Sequence, residues 1–259
     1  YNGKSEDVIP SLDDNSIDLV VTSPPYNVDL GNNKFNENAY DMYNDNKDHK
    51  DYILWLKDIF EKLYPKIVSG GRVAINIGDG KNGSIPTHSD IIHFMTRELN
   101  YIPMANIVWE KSQIGNRFSW GSFASPSCPS FPKPFEYIMI FAKESRKLIK
   151  QGETDLLPEE FKKWAFSIWH MTPETKMQEI GHPAAFPVEL PYRLIKMLSW
   201  KDATVLDIFN GSGTTGVACE MLDRKYIGIE MSENYCDISV KRIKETRPPS
   251  EIDMFRNCQ

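Results

Sequence analysis

The sequence has no closely spaced pair of cysteines. Cys128, Cys219, Cys236 and Cys258 are scattered, with no CxxC spacing. That argues against a zinc site or a disulfide framework and fits a reducing compartment. No apolar run approaches the roughly 20 residues of a membrane span. No secretory leader is visible, although the chain opens at Tyr1 without Met, so a trimmed start is expected. No internal repeat recurs. A basic excess is also missing: 30 Lys and Arg stand against 36 Asp and Glu, a net charge of −6. Nucleic-acid binders are usually basic, so the total weighs against one. The distribution weighs the other way. Over residues 111–150, seven basic residues face two acidic ones, a net of +5, while acids gather in 36–58. The length of 259 residues, with 41% hydrophobic and 25% charged, suits an ordinary globular α/β protein, read as one domain over 1–259.

What is present begins with Thr22-Ser23-Pro24-Pro25-Tyr26-Asn27. It follows Ile17-Asp18-Leu19-Val20-Val21, a run of the length and β-branched content of a buried strand. Two consecutive prolines cannot donate to a sheet ladder, so the strand ends there. The outcome is a stiff loop at a strand's C-terminal edge, where open α/β sheets bind ligands. It offers a hydroxyl (Ser23), prolyl carbonyls and an aromatic face (Tyr26), a set suited to a flat ring that carries an amino group. A plain proline-rich turn is the alternative.

Residues 28–50, polar and without apolar period, read as a long mobile loop of lid or binding type. Residues 52–67 carry Ile53, Leu56, Phe60, Leu63 and Ile67 on one helical face, with Ser69-Gly70-Gly71 as the stop. Strands are expected at 72–77, 103–109, 136–142, 203–208 and 226–230. Helices are expected at 88–99, 188–198, 215–222 and 233–245. Alternating helix and strand implies a mainly parallel sheet with crossover helices. Trp164, Trp169 and Trp200 are expected in the core.

Residues 112–135 fit none of this. They are rich in Ser, Pro and aromatics, contain Arg117, Trp120 and Lys133, and have no acidic residue. Aromatics interleaved with cations suit stacking on bases and contacts to phosphates. A structural loop stapled by its aromatics is the alternative.

The second motif is Asp207-x-Phe209-Asn210-Gly211-Ser212-Gly213-Thr214-Thr215, between a strand and a helix, with Glu230 at the end of the next strand. Glycines let the backbone turn tightly and approach a ligand, and an acid at that position grips ribose hydroxyls. The turn lacks the GxGxxG of a diphosphate cradle, so an adenosine ligand without phosphates fits better.

Together the motifs resemble those of the DNA amino-methyltransferases, with Ser23-Pro24-Pro25-Tyr26 as the catalytic motif and Asp207 to Thr215 as the cofactor motif. His182-Pro183-Ala184-Ala185-Phe186-Pro187 is similar to the family loop that closes on the methionine end of the cofactor. Catalytic half first and cofactor half last, here 182–245, matches the family's circularly permuted β order. The resemblance covers roughly residues 1–245. It implies a Rossmann-like S-adenosylmethionine-dependent methyltransferase fold, with helices on both faces of the sheet and 112–135 as a small irregular target-recognition insertion. It implies that His182, Pro183, Ala185, Phe186, Glu230 and Met231 join the cofactor site, and that Arg117, Trp120 and Lys133 meet DNA. It also implies a prokaryotic cytoplasm, a double-stranded DNA partner, a cognate restriction endonuclease as a candidate second partner, no metal, and a monomer or homodimer.

In the family, Ser in the catalytic motif usually accompanies cytosine N4 and Asp adenine N6. Ser23 therefore favours cytosine, with adenine as the alternative. Gly3-Lys4 stands where adenine-specific relatives often carry Gly-Asp, which points the same way. Other amine substrates and a non-catalytic DNA-binding subunit are the remaining rivals; the latter would be expected to have lost one of the two intact motifs.

Overall fold

The structure, a computed structural model, describes residues 1–27, 47–111, 121–131, 133–174 and 186–246. Seven strands form one sheet: β1 (Ile17–Thr22), β2 (Ile67–Ile77), β3 (Ile102–Lys111), β4 (Phe135–Ala142), β5 (Ile168–Met171), β6 (Thr204–Asp207) and β7 (Lys225–Gly228), in the order β5-β3-β4-β2-β1-β6-β7. Only β4 runs against its neighbours, β2 and β3; every other pair is parallel. The sheet is therefore mixed but mainly parallel, as the alternation of elements predicts.

All six residues of β1 are buried, as a central parallel strand covered on both faces requires. Val20 faces one layer, with Leu56 and Phe60 of α2 (His49–Leu63) and Ile91 of α3 (Thr87–His93). Leu19 and Val21 face the other, with Trp164, Trp169, Ile195 and Cys219. The helices there are α4 (Pro158–Trp164), α5 (Glu189–Leu198) and α6 (Thr214–Met221). A short α1 (Ser5–Val8) precedes β1, and α7 (Glu233–Glu245) packs on α6.

Several boundaries differ from expectation. Helix α2 starts earlier, at His49, where Asp48 caps it by accepting from Lys50 N at 2.9 Å. The expected loop 28–50 thus ends in helix. At its other end, α2 gives way to a 3₁₀ turn, Tyr64–Lys66, because Pro65 has no N–H to continue the ladder. Ser69-Gly70-Gly71 does not stop the helix. It lies inside β2, where the register against β1 shifts and Gly70 takes φ +76°. Helix α3 ends at His93 and five residues of π-helix follow. Strand β5, unassigned from sequence, adds an edge beside β3. Trp164 and Trp169 are core, but Trp200 is only half-buried, its Nε1 donating to the Lys150 carbonyl.

β1 sits between β2 and β6, and the chain steps outward from it in both directions: β1 to β2, and β6 to β7. Such a switch point leaves a crevice at the carboxyl ends of the two central strands. Ser23 follows β1 there, and the glycine turn follows β6.

Candidate active site

The two sequence motifs meet in one cavity of about 280 Å³. Ser23, Pro24, Pro25 and Tyr26 line one side, and Asp207, Phe209, Asn210, Gly211, Ser212 and Thr214 the other. Glu230, Met231 and Phe186 complete the wall.

On the first side, the loop is braced from behind. Tyr52 of α2 donates its hydroxyl to the Pro25 carbonyl at 2.6 Å. Among the described residues, no donor engages the Pro24 carbonyl. The Ser23 hydroxyl has two acceptors in reach, the Asn76 carbonyl at 3.0 Å and the Tyr26 hydroxyl at 3.3 Å. Tyr26 in turn donates to Glu136 at 2.7 Å. Asn27 and Lys47, which flank residues 28–46, clasp each other: Asn27 Nδ2 donates to the Lys47 carbonyl, and Lys47 N donates to Asn27 Oδ1.

On the second side, Asp207 is the anchor rather than a free ligand group. Its carboxylate accepts from Thr22 Oγ1 and Thr215 Oγ1, both at 2.7 Å, and from Phe209 N at 3.1 Å. Burial pushes its pKa up to about 6, against the pull of those three hydrogen bonds. Gly211 takes φ +49° and Gly213 φ +80°, the left-handed turn for which glycine is best suited. Gly213 caps α6 and packs against Ser239 of α7, where a side chain would collide. Arg242, also on α7, donates to the Ser212 carbonyl at 2.6 Å and to Ser212 Oγ at 2.8 Å.

Glu230 stands across from this turn. It accepts from Gly211 N at 2.7 Å and from Ser232 N at 2.9 Å. A carboxylate at the end of the strand that follows the glycine turn suits a ribose diol. With Phe209 and Ile229 as apolar walls, the donor and acceptor set fits the nucleoside half of S-adenosylmethionine.

Two expected cofactor residues do not line the cavity. Thr215 is wholly buried and acts on Asp207, and Gly213 serves the turn. Lys133 forms an ion pair with Asp79 Oδ2 at 2.6 Å, with its ammonium near the Phe135 and Tyr137 rings. Asp79 also accepts from His88 Nδ1 at 2.7 Å, and His88 stacks on Tyr137. Burial raises the Asp79 pKa, but the hydrogen bonds from Lys133 and His88 outweigh it, and the carboxyl ends below its ordinary value. Arg117, Trp120, His182, Pro183 and Ala185 lie outside the described residues.

Sequence reasoning missed one wall. Gly3, Lys4, Ser5 and Glu6 line the cavity, as does Trp55 of α2. Asn2 bridges to Glu230 in parallel, and Gly3 N donates to the Glu230 carbonyl at 2.9 Å. A pairing over more than two hundred residues leaves no local signal. The run of α2 does carry one: Trp55 falls beside Tyr52 and Leu56 yet is not fully buried.

Comparison with known proteins agrees with this geometry. The family described as DNA methylase matches residues 17–241. The type II methyltransferase M.MthZI of Methanothermobacter thermautotrophicus is 34% identical over 95% of this chain and 76% of its own length. M.MjaI of Methanocaldococcus jannaschii is 31% identical over 90% of this chain and 86% of its own. A protein of Thermus thermophilus described as a putative DNA modification methylase, solved with S-adenosyl-L-methionine, superposes with a TM-score of 0.74 at 26% identity, over 95% of this chain and 93% of its own. The PvuII DNA methyltransferase, described as cytosine-N4-specific, shares the fold with a TM-score of 0.70 at 22% identity, over 98% of this chain and 87% of its own. A crevice built from a Ser-Pro-Pro-Tyr loop and a glycine turn, matched along nearly the whole sheet, places this chain in the DNA methylase family, whose members take the methyl group from S-adenosylmethionine.

Proposed function

We propose that this enzyme methylates the exocyclic N4 of a cytosine flipped out of double-stranded DNA. The cofactor supplies an electrophilic methyl group on a sulfonium. The residues of the chain must make a poor nucleophile attack it. An exocyclic amine is weak because its lone pair is shared with the ring. Accepting hydrogen bonds from both its protons turns the nitrogen towards tetrahedral geometry and frees that pair.

The observation that carries the reading is the orientation of Ser23. Its hydroxyl proton has the Asn76 carbonyl as its nearest acceptor, at 3.0 Å. The oxygen then offers lone pairs to the cavity. The Pro24 carbonyl is the second acceptor, and the Tyr26 ring is the platform for the base. Ser23 is neutral and a weak base, so positioning carries most of its effect. The transfer site is out of reach in a stacked duplex, so the base must leave the helix at a cost of about a few kcal/mol.

Cytosine is favoured over adenine because Ser23 occupies the motif position and Lys4, which lines the cavity, stands where adenine-specific relatives often carry Asp. We assign 112–135 to target recognition, and the relatives' type II systems suggest protection against a cognate endonuclease. Mass spectrometry of nucleosides from DNA methylated by the enzyme tests the reading. N4-methylcytosine is expected; N6-methyladenine would overturn the choice of base.

A further inference from the structure

Glu136, at the start of β4, is a buried carboxylate that neither motif contains. It is 7% exposed. Three side chains donate to it. Tyr26 Oη donates to Oε2 at 2.7 Å and Asn76 Nδ2 donates to Oε2 at 2.8 Å. Lys111 Nζ donates to Oε1. Asn76 Nδ2 also reaches Tyr26 Oη at 2.9 Å. The arrangement is costly in two ways. A buried ion pair is often no more stable than well-packed apolar residues of the same volume. In addition, Asn76 Oδ1 is buried with no hydrogen-bond partner among the described residues, the cost of keeping the amide's N–H groups on Glu136 and Tyr26. Stability alone does not account for such a cluster directly behind the Ser-Pro-Pro-Tyr loop.

From this geometry we infer that Glu136 is a positioning residue for methyl transfer: it fixes the Tyr26 ring and thereby leaves Ser23 free to accept from the target amine. The chain of contacts is explicit. With the Tyr26 hydroxyl proton spent on Glu136 and the Asn76 amide beside it, the Tyr26 oxygen is already supplied with a donor. The Ser23 proton then goes to the Asn76 carbonyl, and its lone pairs face the cavity. Without Glu136, the Tyr26 hydroxyl loses the acceptor that anchors its ring, and the platform beside Ser23 loosens.

The location adds a second consequence. Lys111 is the last residue of β3 and Glu136 the second of β4, so the pair closes the base of the segment assigned above to target recognition. On this ladder Trp109 opposes Glu136, which makes Lys111 its diagonal neighbour on the same face. The ion pair thereby links the ends of β3 and β4 to the carboxylate that holds Tyr26.

This inference rests on the proposed amine-methylating reaction, and its test separates the two. Single-turnover transfer is measured for Glu136→Gln, Tyr26→Phe and the double variant, with cofactor Kd and melting temperature alongside. Glu136→Gln keeps the volume but sets an amide N–H2 against Lys111 or against the Tyr26 and Asn76 donors. The transfer rate should fall about 10- to 100-fold, with cofactor Kd within about twofold. Tyr26→Phe removes only the hydroxyl and should give a similar loss. Because both act through one hydroxyl, the double variant should be no slower than the slower single. Adding Lys111→Met to Glu136→Gln should restore part of the rate. Near-normal rates in both single variants, or losses that multiply, would overturn the role. If Glu136→Gln unfolds the protein, Tyr26→Phe decides alone. The product of the wild-type enzyme is identified in the same assay: adenine methylation would end the cytosine reading without touching the role of Glu136.

Discussion

The Thr22 hydroxyl donates to Asp207 Oδ1 at 2.7 Å, although 185 residues separate them. Thr22 ends β1 and Asp207 ends β6, so this bond joins the edges that carry the two motifs. Thr22 precedes Ser23, and Asp207 opens the turn to Gly211. A single carboxylate therefore sets the spacing between the Ser23 side of the cavity and the glycine-turn side.

Removing that carboxylate should act on cofactor binding first. Asp207→Ala leaves Thr22, Thr215 and the Phe209 N–H without their acceptor. An unsatisfied buried group costs about 1–3 kcal/mol, so the turn should relax. Calorimetry with S-adenosylmethionine should show Kd raised at least about tenfold. Thr22→Val removes one of the three donors and should cost about 1–3 kcal/mol of stability with a smaller change in affinity.

The same residue gives a pH signature. Its pKa is about 6 in the fold against an ordinary 3.8, so between these values the folded state holds a proton that the unfolded state has lost. Stability from this group is full below the unfolded value and declines as pH rises through about 6. The whole decline amounts to about 3 kcal/mol. Asp207→Asn removes it while keeping an acceptor for Thr22, since the Thr215 hydroxyl can turn and accept from the amide. Denaturation at pH 4.5 and 7.5 should show the Asn variant gaining on the wild type at the higher pH. A constant difference would place the ionisation elsewhere.

Much of this site is legible in the sequence because its signals are local. Pro24-Pro25 ends a strand whatever surrounds it, and Gly211 and Gly213 mark a left-handed turn from identity alone. The helices and central strands follow from their apolar periods. What is not legible depends on partners distant in sequence. Asn76 and Glu136 sit in strands that read as core, and nothing in Ala74-Ile75-Asn76 or Phe135-Glu136-Tyr137 shows that they meet behind Tyr26. Gly3 to Glu6 become a cavity wall only by lying beside Glu230. Lys133 reads as a DNA contact from its company of aromatics, and nothing in that reading shows that Asp79 would pair with it. The end of helix α2 is hidden in the sequence because Gly70-Gly71 is the stronger breaker on paper, while the weaker pair Tyr64-Pro65 ends the helix first.

Asp79 makes a test of the recognition segment. Its side chain is fully enclosed and binds Lys133 and His88, so it ties the return of that segment to the end of β2. Asp79→Asn weakens both contacts without changing size. Neither partner lines the cavity. DNA affinity should fall severalfold while cofactor Kd stays within about twofold, read by fluorescence anisotropy and calorimetry; a cofactor-only defect would refute the assignment. Because hydrogen bonds depress its pKa, the stability from Asp79 is present above the ordinary carboxylate range and is lost as pH falls through the lowered value.

Ser23→Ala isolates the chemical step. The substitution removes the oxygen proposed to accept from the target amine and leaves the loop braced by Tyr52 on the Pro25 carbonyl and by Tyr26 on Glu136. Ser23 makes no hydrogen bond to the glycine turn or to Glu230; its partners are Asn76 and Tyr26. Cofactor Kd should therefore change less than about twofold. Losing one positioned hydrogen-bond group at a reacting centre typically costs about 100- to 1,000-fold in kcat, and the single-turnover rate should fall by that much with DNA affinity nearly unchanged. Ser23→Asp adds a charged acceptor in the position that the family usually pairs with adenine. If the neutral hydroxyl helps to select cytosine, this variant should lose activity on cytosine by more than it loses on an adenine placed at the same site, and mass spectrometry of the two products reads the ratio.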